Sequence, residues 1–208
     1  MGTQHHLIDL RQGALQPPVS LVENVDLWKQ HNGNYVSLQK TNLPKAKKNK
    51  AITYHTNCLV GDFHYFRTHN QYLLGRVNLL TAKVEYLQVP VQVLRTENGE
   101  ERLWDKAIQN DVKNVDGFVV CQDKRAMLSG WGHVSAASPI VVGDYLYMPT
   151  MVGTVYVIRW DAATLDESAL VSIGDLGPAG KTWTLSSLAS EDGKLYARTI
   201  KELICISD

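Results

Sequence analysis

No surplus of either charge marks this chain. Its 21 basic residues balance 21 acidic ones, so no global field draws it to nucleic acid or to an anionic membrane surface. No apolar run is long enough to span a membrane, and the opening MGTQHHLIDLRQG turns polar too early for a secretory signal. Cysteine is scarce. Cys58, Cys121 and Cys205 are an odd number in strand-like apolar settings such as LICIS, which predicts three buried thiols rather than a disulfide framework. A glycine-rich phosphate loop, a nucleophile elbow and the Cys or His-Glu spacing of a zinc site are also missing. These absences leave no catalytic residue and no metal ligand to name. What is present is a normal globular mixture, 44% hydrophobic and 20% charged in 208 residues, sufficient for a substantial core.

The chain also repeats a phrase. LVGDFHYFRT, VVGDYLYMPT and EDGKLYARTI align on Tyr65, Tyr147 and Tyr196. The alignment places Gly61-Asp62, Gly143-Asp144 and Asp192-Gly193 upstream, and Thr68, Thr150 and Thr199 three residues downstream. In each copy a short apolar run meets a Gly/Asp turn and then an alternating strand. Gly and Asp tolerate the positive φ of tight hairpins, so each copy predicts two antiparallel strands. A second turn and a third strand follow, as in MVGTVYVIRWD, HNQYLLGRVNLLTAK and IKELICIS, with β-branched and aromatic residues suited to a pleated surface. HHLIDLRQGAL at the start reads as another third strand with its exit turn.

Units of three or four short strands recurring every few dozen residues predict an all-β fold of β-propeller blades. Clear blades fall near 52–94, 133–175 and 183–208. Residues 95–131 alternate weakly and read as an insertion or a degenerate blade, while NGNYVSL within 19–51 reads as a hairpin. The expected total is about four blades in one region spanning 1–208.

SAASPIVVGDYLYMPTMVGTVYVIRWDAAT resembles the repeat of quinoprotein-type propellers, the PQQ-like family. Ser138-Pro139, Gly143-Asp144, Leu146-Tyr147, Gly153, Val155-Tyr156, Asp161 and Thr164 match its form. GRVNLLTAKVEYL matches more loosely, with Asn78 for the Asp, Thr81 for the Thr and Ala82 where Gly is usual. The Trp that closes each repeat is Tyr86 in one copy and has no counterpart after Thr164. The resemblance implies a bacterial protein, periplasmic or at the cell surface. It also implies a ring of seven or eight blades, of which this chain would be a C-terminal portion or a half. Such a half exposes strand edges, so self-association, or pairing with a missing N-terminal half, is expected.

In an up-and-down blade the second-to-third turns and the links between blades share one face. That face would gather His55, Asn57, Arg67, His69, Trp131, His133, Ser135 and Arg198, a partly cationic mouth suited to an anionic group or a carbonyl. His64 alternates along a strand and is expected to be a packed or edge residue. Asp62 and Asp144 belong to turns rather than to acid-base chemistry. The run Lys45, Lys47, Lys48 and Lys50 follows Pro44 without interleaved aromatics and reads as a solvated loop. The leading functional expectation is a non-catalytic binding or scaffold module recognising protein, peptide or carbohydrate through this face, with no cofactor. The alternatives are an accessory domain of a larger enzyme and a fragment of a dehydrogenase. In the latter, pyrroloquinoline quinone and calcium would lie against Trp131 or Trp183.

Overall fold

The computed structural model of the chain describes residues 4–9, 11–44, 57–68, 72–121 and 137–207. The described residues are almost all strand and turn. β1 (Gln4–His5) pairs with β4 (Val19–Ser20), and β2 (Ile8–Asp9) with β3 (Ala14–Leu15). A hairpin of β5 (Val25–His31) and β6 (Asn34–Thr41) follows, turned by Asn32 and Gly33, both at positive φ.

β7 (Asn57–Val60), β8 (Phe63–Arg67), β9 (Leu73–Asn78) and β10 (Val84–Gln88) form an antiparallel meander. The β5–β6 hairpin extends it through a parallel pairing of β5 with β10, giving one six-stranded sheet. β11 (Gln92–Thr96) and β12 (Gly99–Leu103) make a separate hairpin. Residues 104–121 then run irregularly, with one bridge between Lys113 and Val119.

β13 (Ile140–Val142), β14 (Tyr145–Pro149), β15 (Thr154–Arg159) and β16 (Leu170–Asp175) form a second four-stranded meander. β17 (Ala189–Glu191), β18 (Lys194–Arg198) and β19 (Leu203–Ile206) form a three-stranded sheet. The fold class expected from the sequence, all-β with blade-type sheets, is the one observed.

The repeated phrase writes the first hairpin of each sheet. All three hairpins close with two-residue loops, at 61–62, 143–144 and 192–193. Gly61 and Gly143 adopt φ of +52° and +56° at the first loop position, and the Asp that follows is not at positive φ. That is the type II′ pattern, in which only the first residue must be left-handed. In the third copy Asp192 and Gly193 are both left-handed, at +50° and +73°, the type I′ pattern. The order of Gly and Asp therefore follows turn type. Asp62 and Asp144 do turn work, and their carbonyls accept from Leu79 and Trp160 N–H. The repeated Thr closes the next turn: Thr68, Thr150 and Thr199 N–H groups donate to Leu73, Thr154 and Glu202 carbonyls, at 3.0, 2.8 and 2.8 Å.

The three main sheets pack face to face in chain order, because alternate residues of each strand serve different neighbours. Phe66, Leu73, Val77, Val84 and Tyr86 meet Val19, Leu21, Val22, Val25 and Leu27 on one side of the first sheet. Tyr65, Leu74 and Leu87 face Leu146, Met148, Tyr156 and Ile158 of the second. The second sheet's other face offers Val155 and Tyr147 to Ala197, Leu188 and Ile204.

Hydroxyls lock these seams: Tyr65 Oη donates to Trp160 O at 2.7 Å, Tyr156 Oη to Pro90 O at 2.6 Å and Tyr86 Oη to Leu21 O at 2.7 Å. Tyr86, which stands where the related repeat has Trp, is fully buried and docks the sheet on the N-terminal residues. Ala82 is left-handed at +59°, the conformation that explains why Gly is usual there. Asn78 caps this turn, its Oδ1 accepting from Leu80 and Thr81 N–H.

Two of the three thiols depart from expectation. Cys121 is buried, but Cys58 is half-buried and Cys205 exposed, and all three are free. Ile204 packs towards the second sheet, so its neighbour Cys205 points to the opposite face of β19 and is exposed.

Candidate functional site

Of the eight residues expected at the turn face, His55, His69, Trp131, His133 and Ser135 lie outside the described residues, as does the lysine run 45–50. The other three are separated in character. Asn57 is exposed, with its Oδ1 3.3 Å from His64 Nε2. Arg198 is exposed, and its carbonyl accepts from Thr184 Oγ1. Arg67 is only 2% exposed, so it stands within the seam between the first two sheets rather than at an open mouth.

The surroundings of Arg67 make it the centre of the candidate site. It ends β8, opposite Leu74, on the face that packs against the second sheet. Its Cζ lies 4.7 Å from the ring centroid of Tyr156, whose own hydroxyl is held by Pro90 O. Its Nε and Nη1 have no hydrogen-bond partner. A cation-π contact returns about 0.5–2 kcal/mol. Enclosing an unpaired charge costs several kcal/mol, so the ring alone does not offset the burial.

Beside it, Tyr72 adopts φ +51°, and the corresponding position of the second sheet is Gly153 at +90°. The two turns match bond for bond: Val89 N–H donates to Tyr72 O, and Leu176 N–H to Gly153 O. A bulky residue held left-handed is strained by about 1 kcal/mol or more. Tyr72 packs with Val91, Ala107 and Val152. Burial pushes its phenol up to about 12, against the opposing pull of Arg67. It also lines a cleft of about 490 Å³ with Leu43, Leu73, Gln88, Trp104 and Asp105. A second cavity of about 720 Å³ runs along Arg102 to Asn110 and shares Trp104 and Asp105.

Sequence reading found Arg67 but missed Tyr72, Trp104, Asp105 and Tyr156. In the register of the repeated phrase Tyr72 falls on Thr154, one residue past Gly153, so the longer turn of the first sheet hid the equivalence.

His64 is half-buried, its ring 4.7 Å from that of His5 and edge-on to it. Burial, and to a lesser degree His5, lower its pKa to about 4. Burial likewise lowers the pKa of His5, and no group of three metal-ligating side chains occurs among the described residues. Between about pH 6.5 and 4 the unfolded chain therefore binds the extra proton. Stability contributed by neutral His64 is complete above pH 6.5 and lost as pH falls towards 4. Urea midpoints of the protein and of His64→Gln, measured from pH 7 to 4, are expected to show a fall with acidity that is steeper in the unsubstituted chain. Parallel curves would contradict it.

Of the two rings considered for a quinone cofactor, Trp131 lies outside the described residues. Trp183 is buried with Val112 and Cys121 and packed by Met151 and Ile200, so its ring is core rather than a platform.

No family model matches the chain, and no curated protein matches it. Among solved structures it is similar to BamB from Moraxella catarrhalis, at 12% identity and TM-score 0.27, over 98% of this chain and 69% of that one. It is also similar to the extracellular domain of a one-component system from B. thetaiotaomicron, at 14% identity and TM-score 0.29, over 85% of this chain and 22% of that one. TM-scores this low add nothing to what the sheets themselves show.

Proposed function

We propose that this chain is a non-catalytic binding or scaffold module of quinoprotein-like propeller type, and that it associates with a second copy of itself through β19. The observation that carries this is the contrast among outer edges. The outer strand β10 of the first meander is covered by β5. The edge of β16 is met by Arg95, which donates to Ile173 O at 2.6 Å and pairs with Asp175. Among the described residues β19, like β6, has no strand paired beyond it, although the equivalent strands β9 and β15 each carry a fourth strand.

Leu203 is 76% exposed and Ile206 44%. Open apolar edges of this kind are templates for strand addition. LICI carries no charge, so two copies of it meet without repulsion. The resemblance supports a periplasmic or cell-surface setting for such a module. No helix among the described residues is long and apolar enough to cross a membrane.

Light scattering across a concentration series is the test. A dimer is expected for the chain, and a monomer for the double variant Leu203→Lys, Ile206→Lys. A chain that stays monomeric at every concentration, or a variant that dimerises equally, would remove the reading.

A further inference from the structure

The cleft of about 490 Å³ beside the β5–β6 hairpin has the size of a small-molecule site, and its wall mixes donors with acceptors. Lys29 and Asp105 place one cation and one carboxylate on it, so an anionic ligand is opposed by Asp105 and a cationic one by Lys29. Asn42 and Gln88 line it as well. Asn42 Oδ1 accepts from Asn24 N–H at 3.0 Å and Gln88 Oε1 from Gln30 N–H at 3.1 Å, which fixes both amide planes before any ligand arrives. Thr41 adds a hydroxyl that can donate or accept. The ligand group that suits this whole set is uncharged and does both, which describes a hydroxyl.

Two rings supply the other half of the specification. Trp104 is half-buried and braced edge-on by Tyr35, with centroids 6.0 Å apart, and the Tyr35 hydroxyl is tied to Gln88 O at 2.7 Å. Tyr72 keeps its place on the cleft wall at φ +51°, a conformation that the matching turn of the second sheet meets with Gly153. Strain held at a cleft by a bulky residue points to a functional position. Flat apolar rings beside fixed polar groups complement a pyranose, which carries C–H groups on its faces and hydroxyls around its rim. Trp104 and Asp105 also line the cavity of about 720 Å³ along Arg102 to Asn110, so a second sugar unit finds room past the ring. An extended peptide suits the place less, since it is held through an open strand edge. Three of the four strands on the wall, β5, β9 and β10, are inner strands of their sheet.

We infer that this cleft binds a short neutral oligosaccharide, with a sugar ring against Trp104 and hydroxyls on Asp105, Asn42 and Gln88. The inference deepens the binding reading above and rests on it, but not on association through β19.

The probes are maltose, cellobiose and chitobiose, with sorbitol as a polyol that lacks a ring and tetraalanine as a peptide. Calorimetry and tryptophan fluorescence of the full chain are expected to show saturable binding of at least one disaccharide and none of sorbitol or tetraalanine. Trp104→Ala is expected to weaken that disaccharide about tenfold or more. Asp105→Ala, at an exposed position, is expected to weaken it about threefold without moving the melting temperature, and it decides if Trp104→Ala does not fold. Failure of all three disaccharides at millimolar concentration, equal binding of sorbitol, preference for tetraalanine, or full affinity in either folded variant would overturn the inference. Release of monosaccharide during the titration would remove the non-catalytic reading and leave the site standing. A chain that binds the disaccharide but stays monomeric in light scattering would support the site and remove only the association through β19.

Discussion

Arg76→Met is expected to lower the unfolding free energy by about 3–5 kcal/mol, the range for removing one partner of an enclosed ion pair. Arg76 Nε donates to Glu85 Oε2 at 2.7 Å, and both side chains are sealed, at 0% and 4% exposure. Nη1 donates to Ala162 O at 2.6 Å and to Tyr65 Oη at 3.2 Å, and Nη2 to Ala163 O at 3.1 Å. Its Cζ also sits 4.4 Å from the Phe63 ring centroid. Methionine keeps the apolar stem, so the loss measures the bonds. It strands Glu85, which keeps only Lys83 at 3.0 Å, and leaves two carbonyls of the 161–163 turn without this donor. That turn belongs to the second sheet, so the damage falls on the seam between sheets. Glu85→Leu is expected to cost less, since Arg76 retains three acceptors. Urea denaturation at pH 7 reads both. A loss under about 1 kcal/mol for Arg76→Met would mean that desolvation cancels the bonds in the native chain.

Tyr86→Ala is expected to cost about 3–5 kcal/mol, as for other enclosed aromatics cut to alanine. The ring meets Phe66 edge-on, with centroids 5.8 Å apart and planes at 88°. It fits because residue 75 is glycine: a Cβ there would stand 2.6 Å from Tyr86 Cε1 and 2.6 Å from Phe66 Cζ. The gap left by alanine is walled by Leu21 and Val22 and by Val25 and Leu27 of β5. Tyr86→Phe removes only the bond to Leu21 O and is expected to cost about 1 kcal/mol. Unfolding followed by urea separates the two. A difference of less than about 1 kcal/mol between alanine and phenylalanine would show that the ring adds little beyond its hydroxyl.

The hairpins were legible because their chemistry is local. Gly61-Asp62 and Asp192-Gly193 state a turn within two residues, and the strands on either side follow from alternation. NGNYVSL declared the β5–β6 hairpin through Asn32-Gly33 for the same reason. The parallel join of β5 to β10 was not legible, since nothing in VDLWKQH says which distant strand it will meet. The site shows the same limit. Arg67 stands in a repeated phrase and was easy to single out. Whether it faced solvent or a seam depended on Tyr156, a residue of another sheet. Cys205 was misjudged because LICIS does not say which of its two faces another sheet covers, and only the face of Ile204 is packed.

The parallel join has a kinetic meaning. The two four-stranded meanders close by neighbours in sequence, through loops of no more than ten residues, and hairpins form in microseconds. β5 can join β10 only after a long excursion of the chain. The Gln30 N–H to Gln88 Oε1 bond that sits on this seam links positions 58 residues apart. Loop-closure entropy must be met before such a contact gains anything, which puts this seam late in folding. Until it closes, β10 is itself an uncovered edge, a place that β6 takes in the finished sheet.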